Sequence, residues 1–300
     1  MRLRHPSGRI VHLGCGLSLD QADSLSAAVE GLDAVTPALR SRCGSGTLGV
    51  ALRLSYPLAA VLVADGRART RLRAELDARG LEVVTLSGGP DAEDGGENTP
   101  GDWSEAARLR HTLELARILV DLLPAEEVRG AIATCGLGLR EGWDETKEKA
   151  VARNLGRFSG GLADLAWRVG RAVRAGFQPG PGRVLDSPEE TVAALTRIDK
   201  DRLGVCLDLT TTIRDWPDPQ AGIDRMTDAG LSVITALITD PAVAWQPVLR
   251  HLLAADTART EYVIVETSAD PGQSAGDLAF VLDEMTALGL VREQEPCTAP

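Results

Sequence analysis

Short apolar runs alternate with segments of helical period along the whole chain. Ile10–Leu17, Leu48–Leu54, Leu81–Ser87, Gly130–Cys135, Gly176–Gln178, Leu203–Asp208, Leu231–Leu237 and Glu261–Glu266 read as strands. Between them, Ser18–Leu39, Tyr56–Arg79, Trp103–Leu123, Asp144–Ala175, Asp218–Gly230, Ala244–Ala255 and Gly276–Gly289 read as helices. Another helix is opened by Ser187, with Glu190 three residues on as its capping box. Eight strands alternating with helices predict an α/β protein, a (β/α)8 TIM barrel. A doubly wound open sheet is the rival that strand counting leaves standing. The expected organisation is a single barrel domain over residues 1–292, followed by a disordered tail, 293–300. Asp91–Asp102 is polar and aperiodic, and reads as a long loop.

The strand ends carry the candidate chemistry, because a parallel α/β fold gathers the carboxyl ends of its strands at one mouth. In Leu203–Asp208, Gly204, Cys206 and Asp208 alternate with Leu203, Val205 and Leu207: a narrow inner face, a greasy outer one, and an acid last. Glu266 closes an otherwise apolar strand in the same way. A carboxylate in such surroundings is costly unless solvated or paired, so Asp208 and Glu266 are read as catalytic candidates. Arg53, Thr85, Ser87, Cys135, Gln178, Thr210 and Thr235 stand at or beside the other strand ends as substrate-binding candidates. Arg53 doubles as a salt-bridge partner for the acids, and Arg140 is a second counter-charge for an anion near Cys135–Arg140.

Composition narrows the class of partner. The net charge of −11 disfavours a nucleic-acid backbone binder, and no apolar run spans a bilayer. Five cysteines without a C-x-x-C pair suit a reducing compartment, so a cytoplasmic location is expected. The partner expected is a small-molecule metabolite, and a homo-oligomer is compatible with the sequence. Gly14-Cys15-Gly16-Leu17 lacks the third glycine and the downstream acid of a dinucleotide fingerprint. The histidines, His5, His12, His111 and His251, offer no metal-ligand spacing.

Four segments carry a family resemblance: Gly49–Ser55, Val83–Gly88, Thr112–Leu119 and Leu203–Asp208. In that order they resemble the EboE family of metabolite traffic proteins, xylose-isomerase-like barrels related to sugar phosphate isomerases and epimerases. The resemblance runs from about Ile10 to about Glu266 and implies the TIM-barrel fold more directly than an activity. It also implies a divalent metal held by a Glu, an Asp, a His or Gln, and a Glu at successive strand ends. Carried onto this chain, the first position is Gln178, the second Asp208, the third falls at about Leu237, and the last is Glu266. Leucine cannot ligate, so Gln178, Asp208 and Glu266 are weak candidates for Mg2+ or Mn2+ and the metal site reads as degraded.

Three readings follow. The first is an isomerase- or epimerase-like enzyme, metal-independent or weakly metal-dependent, doing acid/base tailoring of a small polar metabolite in secondary metabolism, with Asp208 and Glu266 as the acid/base pair. The second is a divalent-metal-dependent sugar or polyol isomerase or epimerase. The third is a non-catalytic metabolite-binding or trafficking protein with a relic pocket, for which Leu237 would suit an apolar wall.

Overall fold

A computed structural model describes residues 1–43, 46–88, 100–266 and 270–293. Most of the expected Asp91–Asp102 loop, the tail from residue 294 and Cys297 lie outside these described residues. Among the described residues one sheet runs from β10 (Val291–Arg292) through β1 (Arg2–Arg4) to eight parallel strands in sequence order, the first of which also pairs with the last. The eight parallel strands therefore close: β2 (Ile10–Leu19), β3 (Leu48–Leu54), β4 (Leu81–Gly88), β5 (Arg129–Cys135), β6 (Ala172–Gln178), β7 (Leu203–Asp208), β8 (Val233–Ile238) and β9 (Tyr262–Val265). This is the (β/α)8 barrel, and closure eliminates the open doubly wound sheet.

Each barrel strand has one face toward the helices and one toward the axis. Leu52, Leu86, Ile132, Phe177, Leu207, Ala236 and Val263 belong to the main core outside the barrel. A smaller separate cluster fills the interior: Val84, Ala131, Cys206, Ile234, Leu237, Tyr262 and Ile264, with Ala51 and Ala133 against it. Small inner residues are obligatory in so narrow a barrel. A Cβ on Gly204 would lie 2.4 Å from the Ser232 carbonyl oxygen, and one on Gly176 would lie 2.8 Å from the Cys206 nitrogen. Two register shifts, at Val50/Ala51 against β4 and at Val205/Cys206 against β8, leave Val84 and Ile234 as extra residues. Each extra residue turns inward, so Val84–Thr85 and Ile234–Thr235 place two consecutive side chains inside.

Several boundaries differ from the pattern reading. The first helix, α1, is Leu25–Cys43, and Tyr56–Arg79 is two helices, α2 (Tyr56–Ala64) and α3 (Gly66–Ala78). Asp65 ends the first and caps the second, its carboxylate accepting from Arg67 N at 2.8 Å. The helix expected over Asp144–Ala175 is α5 (Glu145–Val169), stopped by Gly170 at φ +71°. β6 therefore starts at Ala172, earlier than Gly176. Arg174 obscured it: a charged residue breaks the apolar run, yet here it is buried beside Glu261. The short antiparallel strands β1 (Arg2–Arg4) and β10 (Val291–Arg292) had no signal of their own and add an edge at β2.

The helix α4 (Ala106–Leu122) buries His111 against Tyr56, with ring centres 4.7 Å apart. Burial, then the Arg108 charge, lowers the His111 pKa to about 4. The unfolded chain takes up this proton near pH 6.5 and the native chain does not. Stability is therefore complete above about pH 6.5 and falls as the pH drops toward 4. His12, lowered to about 3 by burial and stacked on Tyr262, adds to the same loss. In urea titrations at pH 7.5 and pH 5, His111→Phe is expected to lose less stability than the wild type; equal losses would remove His111 as a cause.

Candidate functional site

A cavity of about 470 Å³ opens at the carboxyl ends of the strands. Its walls follow from strand alternation. β3 contributes Ala51 and Arg53, β4 Thr85 and Ser87, β5 Ala133 and Cys135, β6 Gln178, β8 Thr235 and Leu237, and the β9 end Ile264 and Glu266. Arg53, Thr85, Ser87, Cys135, Gln178, Thr235 and Glu266 are thus gathered on one cavity.

Glu266 is the one carboxylate among the described residues lining this space, and it forms an ion pair with Arg53 across the β9 and β3 ends. Both side chains are about one-third exposed, enough to meet a ligand. β2 runs between them, and Gly16 makes room: a Cβ there would lie 3.0 Å from Glu266 Cγ. Gly14 likewise clears Ile264, whose Cδ1 would be 3.1 Å from an added Cβ. The glycines of Gly14-Cys15-Gly16 therefore serve close packing inside the barrel.

The structure places Asp208 and Thr210 apart from the residues that line this cavity. Asp208 is 8% exposed and caps the short helix α7 (Leu209–Asp215). Its carboxylate accepts from Thr210 N at 3.0 Å, Thr211 Oγ1 at 2.7 Å and Thr239 Oγ1 at 3.0 Å. It lies outside the wall of the main cavity, lining instead a small cleft beside it. The Thr210 hydroxyl accepts from Thr239 N and Asp240 N, tying the β7 and β8 ends together, and it too is absent from the cavity wall. Thr211, held by Asp208, is the residue of this run that reaches the cavity. The strand-end acid at Asp208 thus doubles as a helix cap. Asp208→Ala is expected to cost about 1–3 kcal/mol in urea unfolding, from the lost cap and the stranded hydroxyls. Asp208→Asn is expected to keep most turnover; a loss of about 10²–10⁴-fold with intact stability would return Asp208 to direct proton transfer.

Arg140, expected as an anion's counter-charge, instead forms a two-pronged pair with Glu190, the capping-box residue of α6 (Pro188–Leu195). Two arginines that pattern reading missed do line the cavity. Arg108 comes from α4 and Arg183 from the loop after β6. Neither sits at a strand end, so strand alternation had no means of finding them. Arg108 is buried and donates to the carbonyls of Gly101 at 2.8 Å and Pro100 at 2.7 Å. None of the histidines lines the cavity. Cys15 faces the outer core, where burial pushes its thiol up to about 12, and Cys206, wholly buried inside the barrel, is raised further.

The candidate metal ligands do not make a good cation site. Among the described residues no three His, Cys, Asp or Glu side chains gather to hold an ion. Glu266 is engaged by a guanidinium, whose charge opposes a second cation. Asp208 is occupied by amide and hydroxyl donors, Gln178 is neutral, and Leu237 presents only carbon. Hard divalent ions are held by several anionic or carbonyl oxygens, which this donor set does not supply.

This is a (β/α)8 TIM barrel. It is similar to the crystal structure of a xylose isomerase domain protein from Planctomyces limnophilus, with 17% identity over 93% of this chain and 97% of that one, TM-score 0.60. A xylose-isomerase-like TIM barrel protein from Mycobacterium smegmatis, in complex with magnesium, is 16% identical over 95% and 94% of the two chains, TM-score 0.61. An L-ribulose 3-epimerase is 14% identical over 92% and 95%, TM-score 0.63. At these identities the likeness establishes the fold. No family model and no curated protein sequence matches the chain, so the EboE resemblance rests on the four segments alone.

Proposed function

We propose that the barrel, as a single domain over residues 1–292, catalyses an isomerase- or epimerase-like proton shift on a small polar metabolite. The observation that carries this reading is the Arg53–Glu266 pair at the cavity. A carboxylate facing a cavity of hydroxyls and an amide is equipped to take a proton next to a carbonyl and return it. Arg53 fixes the carboxylate and stands beside the oxygen on which negative charge develops. Gln178, Ser87, Thr85 and Thr235 orient the substrate's hydroxyls, Cys135 closes the wall, and Asp208 holds Thr211 in place. The reaction proceeds without a bound metal, in keeping with the donor set. The epimerase and isomerase names among the similar structures support the reaction class, and a tailoring step in secondary metabolism fits a site altered from the pattern that the resemblance implies.

The test is a panel of ketoses, sugar acids and sugar phosphates incubated with the protein in deuterium oxide with EDTA. Exchange of a proton next to a carbonyl, insensitive to EDTA, is the expected result. Exchange that requires Mg2+ or Mn2+ would replace this reading with metal-dependent chemistry. Tight binding without exchange would replace it with a metabolite carrier.

A further inference from the structure

We propose that the amino-terminal end of the barrel, opposite the substrate cavity, holds a second site, for a small oxyanion received by Arg174, Arg202 and Arg259. The first observation is a cavity. About 310 Å³ of space lies at the amino ends of β5, β6, β7 and β9, with Leu162 and Ala166 of α5 in its wall. Its charged lining is Arg129, Arg174, Arg202 and Arg259 against Asp201 and Glu261. This excess of bases runs against the chain as a whole, in which acids outnumber bases, 43 to 32.

The second observation is an unanswered donor. Arg174 is 7% exposed, so its guanidinium is almost wholly out of water. Its Nε donates to the Asp201 carbonyl at 3.2 Å. Its Nη1 stands 3.7 Å from Glu261 Oε2, beyond hydrogen-bond reach. Its Nη2 is buried without a hydrogen-bond partner among the described residues, and Glu261 Oε2 is in the same position. A buried charged donor left unmade is costly, and an acceptor oxygen placed beside it removes the cost.

The third observation is that the carboxylates present leave the arginines in excess. Glu261 is shared between Arg129, which donates to Oε1 at 3.2 Å, and Arg174. Arg259 faces Asp201 at 3.7 Å, and Arg202 pairs with Asp199 at 2.6 Å. Among the described residues four guanidiniums thus meet three carboxylates, and one positive charge is left after every ion pair is counted. Burial lowers the Arg174 pKa; Glu261 opposes the shift, and the Arg259 and Arg129 charges add to it. An oxyanion supplies both the acceptor that Nη2 lacks and the charge that balances the cluster. A neutral ligand would supply the acceptor alone, and a cation neither.

The experiment is calorimetric titration of the whole protein at constant ionic strength with inorganic phosphate and with acetate. At least one is expected to bind, and the tighter of the two assigns the group as phosphoryl or carboxyl. Arg259 sits at φ +50°, a left-handed conformation that suits glycine, so Arg259→Gly removes the guanidinium while relaxing the backbone. That variant is expected to melt no lower than the wild type. It should weaken the anion about ten- to a hundredfold, the worth of a charge-assisted hydrogen bond. Arg174→Met is expected to abolish binding; if it loses cooperative unfolding, Arg202→Gln takes its place beside Arg259→Gly. No binding of either anion at about 10 mM, or binding unchanged in Arg259→Gly, would overturn the proposal. Glu266→Gln, at the opposite mouth, is expected to leave anion binding as it is. A loss there would put the anion in the substrate cavity and overturn the proposal as well.

Discussion

Glu266→Gln lowers the rate of substrate proton exchange by about 10²–10⁴-fold, the usual contribution of a positioned acid or base. Glutamine preserves the volume and one acceptor oxygen, so Arg53 retains a hydrogen-bond partner while the group that takes the proton is gone. The pair is about one-third exposed, and its loss as an ion pair costs little stability. The unfolding midpoint should therefore stay near that of the wild type. That combination, lost exchange with unchanged stability, identifies a chemical role. Full exchange in Glu266→Gln would remove the carboxylate from the mechanism; a large fall in stability would mean that the pair is structural. Arg53→Met is the companion variant. It leaves Glu266 without the cation that holds it at the cavity wall, so exchange is expected to fall while the unfolding midpoint stays near that of the wild type.

Trp103→Ala destabilises the barrel by about 3–5 kcal/mol, as large-to-small changes of buried aromatics do. Trp103 is fully buried, with ring centres 5.0 Å from Phe158 and 5.3 Å from Phe177. These three rings join α4's leading end, α5 and β6. The indole Nε1–H donates to Thr134 Oγ1 at 3.2 Å, and the Trp103 carbonyl accepts from Asn154 Nδ2 at 3.0 Å. Truncation opens a cavity and leaves the Thr134 hydroxyl, itself on the wall of the functional cavity, without the indole. Trp103→Phe keeps most of the ring and should cost less. Urea unfolding measures both, with the slope expected to stay constant. A cost below about 1 kcal/mol for Trp103→Ala would mean that the neighbouring rings collapse into the space.

Much of the barrel could be read from the chain because its signals are local. Two-residue alternation in Leu48–Leu54 and Leu203–Asp208 sets which side chains face inward, and those strands keep that alternation in the fold. The Ser187–Glu190 capping box forms as its spacing requires. The same logic brought Arg53, Gln178 and Glu266 to one cavity, since the ends of parallel strands share a mouth once the ring closes. It failed where a residue's partner is distant. Arg174 hid a strand because its burial beside Glu261 depends on a contact 87 positions away. Asp208 carried the same sequence signal as Glu266, an acid after an apolar run. What divides them is the neighbour each meets: threonine donors from α7 and from the residue after β8 for one, Arg53 and open cavity for the other.

The alternation of strands and helices, the inward faces, and the glycine and alanine positions that make a narrow barrel possible are all set along the chain. Those follow from period, size and capping, which act between neighbours along the chain. Closure of the ring, the inward bulges at Val84 and Ile234, the pairing of Arg53 with Glu266, and the arrival of Arg108 and Arg183 at the cavity come from the folded arrangement. Each of these depends on which groups meet across the fold. A charge has no assigned partner until the strands that carry it have closed.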